Sequence, residues 1–178
     1  MFKQKESLDK IDQYLTSNGI ELFEATNTNV GYKSNGIVIY MTHSVREELF
    51  VLWIGKNQSN LIEIDNETLK GYFRSDLLTS KVPEDIFLQN CLIFFQTYLK
   101  NIVAGGDFSL DGLYRFKRKR SEDYTTEIQV KHLLIAAENA WRINDYEGVV
   151  KNLEKLKEKE IPHSIQKKYE IALRKLAK

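Results

Sequence analysis

The first third of the chain alternates short apolar runs with polar turn residues, which is the pattern of an antiparallel sheet. A helical stretch from Ser7 to Leu15 comes first, and five strand-like segments follow, at 21–25, 30–33, 37–42, 49–54 and 61–64. The second and third flank Ser34-Asn35-Gly36, and Asn-Gly favours a tight hairpin turn because both residues accept positive φ. The sequence therefore predicts an antiparallel meander of four or five strands.

Helical spacing replaces this alternation after the fifth segment. Asp65-Asn66 is placed to cap a helix whose apolar positions are Leu69, Tyr72, Phe73 and Leu77. Pro83-Glu84-Asp85 begins a longer helix that ends near Gly105-Gly106 and is apolar on most sides. We expect this longer helix to lie centrally, packed between the sheet and the C-terminal helices.

The C-terminal region carries helical spacing twice over, which predicts a helical hairpin from about Glu127 to Glu160, closed by Pro162. Asn144-Asp145 falls between the two apolar stripes, where an Asn or Asp side chain accepts from the first turn of the next helix. The stripes are Val130, Leu133, Leu134, Ala137, Ala140 and Trp141, then Tyr146, Val149, Val150, Leu153 and Leu156. His163-Ser164 is placed to cap a last helix with the stripe Ile165, Tyr169, Ala172, Leu173 and Leu176.

This hairpin resembles a tetratricopeptide repeat in its small Ala137 and Ala140, its Asn144-Asp145-Tyr146 turn and its period of about 34 residues. It departs from that family at Asn144, where a Gly is usual, and at Val149, where a small Ala is usual. One copy is found, although such repeats normally need about three neighbours. The resemblance implies a three-helix tetratricopeptide-like unit, and a generic three-helix bundle is the alternative.

Composition and charge divide the chain. It has 178 residues, 42% of them hydrophobic, and a net charge of +1. Residues 1–114 carry a net charge of −5 and residues 115–178 a net charge of +6. We therefore expect an acidic α+β scaffold at 1–114, a basic connector at 115–126 and the helical hairpin with its capping helix at 127–178, all forming one compact body.

The single cysteine and the N-terminus bear on location. Cys91 lies among apolar residues, which predicts a buried thiol and leaves no disulfide framework. The N-terminal residues lack the apolar stretch of a signal peptide, and polar residues interrupt the most apolar run, at 86–103. We expect a cytoplasmic protein that does not span a membrane.

Motifs for chemistry are weak. Gly31 and Gly36 have the spacing of a phosphate-binding loop, but Ile37-Val38 stands where Lys and Ser/Thr are needed, so we interpret the segment as a hairpin turn. His43, His132 and His163 are scattered without a cluster at metal-ligand spacing. We expect no enzyme activity, no metal and no cofactor, with an active site assembled from residues distant in sequence as the alternative.

The basic run is the main candidate for a charged ligand. Arg115, Lys117, Arg118, Lys119 and Arg120 surround Phe116, which matches phosphate contacts combined with one stacked base. Glu122-Asp123 follow at once, and a solvated connector is the alternative that we prefer. Nucleic-acid association through residues 115–120 is therefore our second hypothesis for function.

Our first hypothesis is a non-enzymatic protein that binds another protein. The layout loosely resembles small bacterial immunity proteins and effector chaperones, which implies that a cognate toxin or effector is neutralised or chaperoned by occlusion. Glu47 and Glu48 would offer charge to a basic partner, and Trp141 or Tyr146 would anchor it. For Trp141 the alternative is plain core packing, which we prefer.

Overall fold

The fold is α+β, as the sequence predicts. The computed structural model describes residues 2–157 and 160–177. The chain divides into two compact units, unit 1 at Met1–Arg118 and unit 2 at Lys119–Lys178. Each unit has its own apolar cluster.

The described residues form five strands and six α-helices. The strands are β1 (Glu21–Ala25), β2 (Asn29–Ser34), β3 (Ile37–Ser44), β4 (Leu49–Gly55) and β5 (Leu61–Glu63). The helices are α1 (Lys5–Ser17), α2 (Asn66–Gly71), α3 (Glu84–Ala104), α4 (Leu110–Arg142), α5 (Tyr146–Leu153) and α6 (His163–Leu176). Among these described elements, no helix has both the length and the apolar character needed to cross a bilayer.

The sheet is the predicted meander. Its strand order is β1-β2-β3-β4-β5, and every neighbouring pair is antiparallel. At the β2–β3 turn Gly36 has φ of +87°, as expected for an Asn-Gly hairpin. Because side chains alternate along a strand, each strand turns one set of residues toward the helices and the other set away from them.

The core of unit 1 lies between one face of the sheet and α3, which confirms the predicted packing of this helix on the sheet. Ile39, Met41, Leu52 and Ile54 are fully buried on that face. The helix contributes Phe87, Leu88, Cys91, Phe94, Phe95, Leu99 and Ile102 to the same cluster. Helix α1 packs against α3 through the buried Ile11 and Leu15.

Unit 2 contains α4 from Lys119 onward, together with α5 and α6. Ala137, Ala140, Val149, Leu153 and Ala172 are buried in its apolar cluster. The predicted turn cap is confirmed, since an oxygen of Asp145 accepts a hydrogen bond from the N–H of Gly148 at 2.8 Å.

Three local predictions at helix ends were wrong. Helix α2 ends at Gly71, which leaves Leu77 outside it. Helix α4 begins at Leu110 rather than near Glu127; Ser109 Oγ accepts from the N–H of Gly112 in its first turn. Helix α6 has Pro162 at its N-cap without a side-chain cap hydrogen bond, so His163 and Ser164 lie inside the helix.

The stripe predicted for α6 is only partly buried. Ile165 and Ala172 lie in the cluster of unit 2, and Tyr169 packs against it. Leu173 and Leu176 are 42% and 51% exposed. A 14-residue helix turns several of its faces to solvent, so apolar spacing alone overstates how much of it is covered.

Candidate functional site on the outer face of the sheet

The outer face of the sheet, the side turned away from α3, carries a row of residues aligned across all five strands. The strand register places Glu24, Gly31, Tyr40, Trp53 and Glu63 opposite one another in β1 to β5. Neighbours in such a row are close enough to interact. Two aromatic rings at the centre of the face therefore lie between two carboxylates.

Gly31 lets the aromatic side chains of this face approach one another. A Cβ at Gly31 would lie 2.8 Å from Tyr40 Cε1 and 3.0 Å from Phe23 Cζ. The rings of Phe23 and Tyr40 meet edge to face with centroids 5.5 Å apart. Phe23 reaches this position because the β1–β2 register shifts between Leu22 and Glu24, where Phe23 is the extra residue of a bulge.

Hydrogen bonds fix the two central rings. The Tyr40 hydroxyl donates to Glu24 Oε2 at 2.9 Å and accepts from Gln58 Nε2 at 2.8 Å. The Trp53 indole N–H donates to Thr42 Oγ1 on the neighbouring strand at 3.2 Å. Both rings are therefore held before any ligand arrives, which lowers the entropy cost of binding.

Together these residues line an open pocket of about 550 Å³, which we call the outer-face pocket. Its wall consists of Glu24, Asn29, Tyr40, Thr42, Trp53, Gln58 and Leu61. Two aromatic rings surrounded by a few convergent polar groups are typical of a binding site.

The outer face carries negative charge and hydrogen-bonding groups. Partial desolvation raises the pKa of Tyr40, and the hydrogen bond and the charge of Glu24 raise it further, so the phenol stays protonated as a donor at neutral pH. A single cation of the neighbouring row, Lys33, lies with its Nζ 5.4 Å from the centroid of the Phe23 ring. Glu24 is the only charged residue in the wall described above.

The predicted partner-binding residues Glu47 and Glu48 lie elsewhere, in the turn between β3 and β4. Both are exposed, and Glu48 has φ of +52°. They line a second open pocket of about 680 Å³, whose wall includes the stacked rings of His43 and Phe50. They do not belong to the wall of the outer-face pocket.

Trp141 and Tyr146 are brought together in unit 2. Their rings meet at a steep angle with centroids 5.8 Å apart. Both are half-buried and pack against the apolar cluster of that unit. This contact is the core packing that the sequence offered as the alternative for Trp141.

The six residues of the basic run, 115–120, lie on α4 and differ in their exposure and contacts. The Phe116 ring packs on Tyr72 at 5.6 Å and lies against Gly71. Lys117 Nζ forms an ion pair with Asp65 Oδ2 at 3.0 Å, with 22% and 24% of the two side chains exposed. Arg115, Arg118 and Lys119 are exposed and Arg120 is half-buried. Phe116 and Lys117 therefore have roles within unit 1.

The described residues offer no metal-binding cluster and no accessible thiol. In the ranges 2–157 and 160–177, no three His, Cys, Asp or Glu side chains come together as a metal site. Cys91 is buried, and its burial raises the pKa of the thiol well above the ordinary range.

Sequence reasoning missed the outer-face pocket although it placed the strands correctly. Glu24, Tyr40 and Trp53 lie on three different strands, Gln58 lies in the β4–β5 turn, and the four meet only through the strand register. The available signal was the alternation in β3 and β4, where Tyr40, Thr42 and Trp53 face away from the buried positions.

Comparisons of the chain with protein-family models, with curated proteins and with solved structures found no match.

Proposed function

We propose that this chain is a non-enzymatic protein that binds another protein through the outer face of its sheet. The observation that carries the proposal is the outer-face pocket, in which hydrogen bonds fix Tyr40 and Trp53 in an open site. Tyrosine and tryptophan dominate binding energies at protein interfaces because they contribute a large contact area with few rotatable bonds.

The mechanism in this proposal is occlusion. A partner seated on the sheet would have its own surface covered, which is how a protein neutralises or chaperones a toxin or effector without chemistry. The tetratricopeptide-like hairpin of unit 2 belongs to the same proposal, since such repeats generally offer binding surfaces. We propose a cytoplasmic location, in keeping with the free, buried thiol of Cys91.

The test uses a cation placed in the pocket. Asn29 is half-buried in the pocket wall, and its backbone N–H and C=O form hydrogen bonds with Thr26. Asn29→Arg therefore places a long cationic side chain in the pocket without removing Tyr40, Glu24 or Gln58. The matched control is Asn101→Arg, the same change at an exposed position of α3.

The assay is co-expression with the tagged product of the neighbouring gene, followed by measurement of the copurified ratio and of the dissociation constant. We expect a stoichiometric complex with the wild-type protein and with Asn101→Arg, and binding at least tenfold weaker with Asn29→Arg. A complex that Asn29→Arg leaves unchanged would overturn the proposed surface. Copurified RNA that dissociates with salt and is lost when the exposed Arg115, Arg118 and Lys119 become Gln would favour the nucleic-acid hypothesis instead.

A further inference from the structure

We infer that the outer-face pocket receives an arginine side chain of the partner. This inference rests on the proposed function, because it supplies the chemistry of the guest for the same surface. It also predicts that the partner is basic where it touches the sheet.

The charge of the outer face favours a cationic guest. The only charged side chain in the pocket wall is the carboxylate of Glu24, and a second carboxylate, Glu63, lies beside Trp53 in the strand register. The nearby cation of Lys33 already lies over the ring of Phe23. This face thus holds one ammonium group on an aromatic ring, and its remaining charge is complementary to another cation.

The two ordered rings of the pocket favour a planar guest. A guanidinium group is planar, weakly hydrated and stacks on aromatic faces, and it prefers tryptophan among them. The hydrogen bond from Trp53 to Thr42 ties the edge of the indole to β3. The hydrogen bonds of Tyr40 hold the second ring beside it. An incoming guanidinium therefore meets rings that are already ordered.

The pocket wall offers acceptors for a guest that carries several hydrogen-bond donors. A guanidinium carries five N–H donors and no acceptor, so its site must offer acceptors. Glu24 uses Oε2 for the Tyr40 hydroxyl, and a carboxylate has lone pairs for further donors. Gln58 donates through Nε2, which leaves its carbonyl oxygen as an acceptor in the same wall.

The chain provides its own reporter for a test. It has two tryptophans, so Trp141→Phe leaves Trp53 as the single fluorescent indole, in the pocket itself. The probes are three blocked pentapeptides that differ only at the central residue, which is arginine, citrulline or lysine. Citrulline keeps the shape of arginine and removes its charge.

We expect the arginine peptide to change the fluorescence of Trp53 saturably, and the citrulline and lysine peptides to bind at least tenfold more weakly. Glu24→Gln, which keeps an acceptor for Tyr40, should weaken the arginine peptide about tenfold. Glu21→Gln should not, because Glu21 is an exposed carboxylate on the same strand outside the pocket wall.

Equal binding of the arginine and citrulline peptides, or no binding of either, would overturn the inference. Equal binding of the lysine peptide would overturn the choice of arginine. The proposed function is decided separately, because the Asn29→Arg experiment asks only whether the outer face holds a protein. Loss of partner binding in Asn29→Arg, together with no response to the arginine peptide, would sustain the function and reject the guest.

Discussion

The turn that carries Gln58 can be tested by one methyl group. Gly55 ends β4 and lies opposite Leu61 of β5. A Cβ at Gly55 would lie 2.0 Å from the carbonyl oxygen of Asn60. Because that atom belongs to the backbone, Gly55→Ala forces the turn at 57–60 to move. The same oxygen accepts a hydrogen bond from the Tyr114 hydroxyl, so that contact is disturbed as well.

The expected loss of folding free energy depends on whether the added methyl group meets backbone or side-chain atoms. Adding a methyl group to a well-packed site costs about 1–3 kcal/mol. We expect Gly55→Ala to reach about 3 kcal/mol, because no side-chain rotation relieves the overlap. Gly31→Ala meets the rings of Tyr40 and Phe23 instead of backbone, and a side-chain ring can turn aside where a backbone oxygen cannot. Its cost should therefore lie nearer the lower end of that range, at about 1 kcal/mol.

The measurement is urea unfolding followed by Trp53 fluorescence in the Trp141→Phe background, so that the signal reports on unit 1. Linear extrapolation gives the free energy of unfolding of each variant. A cost for Gly55→Ala that equals or falls below that of Gly31→Ala would refute the close packing of Asn60 on β4.

Two further predictions concern side chains of unit 1. Asp65→Ala should lower the free energy of unfolding by about 2 kcal/mol, because it removes the cap bond to Thr68 and the ion-pair partner of the largely buried Lys117; Asp65→Asn keeps a capping group and should cost less in the same assay. Partial burial raises the pKa of Asp65, but the hydrogen bonds from Thr68 and Lys117 outweigh it and leave the pKa below its ordinary value. The stability from this lowered pKa is therefore present above about pH 4 and is lost as the pH falls through the folded-state pKa. Urea midpoints taken at successively lower pH should therefore fall further in the wild-type protein than in Asp65→Asn, in which other carboxylates with lowered pKa values, such as that of Asp111, still titrate. The buried Cys91 thiol should react with a thiol reagent only as the protein unfolds, and fast reaction of the native protein would contradict its position.

The sheet and α3 were predictable because buried positions require apolar residues at regular intervals in the sequence. The strands alternate, the β2–β3 turn has its Asn-Gly pair, and α3 has Pro83 before its first turn and Gly105 after its last. Each of these signals is local, so it does not depend on knowing what lies across the core.

The start of α4 was not predictable in the same way. Residues 121–129 of this helix are exposed, so no apolar stripe marks them. A helix that is polar on all sides gives no periodicity, although Arg, Lys and Glu are good helix formers. The basic run was consequently interpreted as a connector, whereas Leu110, Phe116 and Lys117 show that the first part of α4 packs within unit 1.

The candidate site depended on information that the sequence does not carry locally. Glu24 reaches Tyr40 only because Gly31 stands between them in the register. The bulge at Phe23 sets that register, and its position is not signalled by a Gly or Pro in β1. A one-residue difference in pairing would turn Glu24 to the other face.

The bulge at Phe23 also interrupts the outer edge of the sheet. A regular edge strand offers unpaired N–H and C=O groups to a second copy, and sheets that join edge to edge seed fibrils. An incoming strand at β1 would meet a kink and the like charges of Glu21 and Glu24 on a strand of five residues. Polymerisation from this side is thereby opposed, while the broad surface beside it stays open to a specific guest.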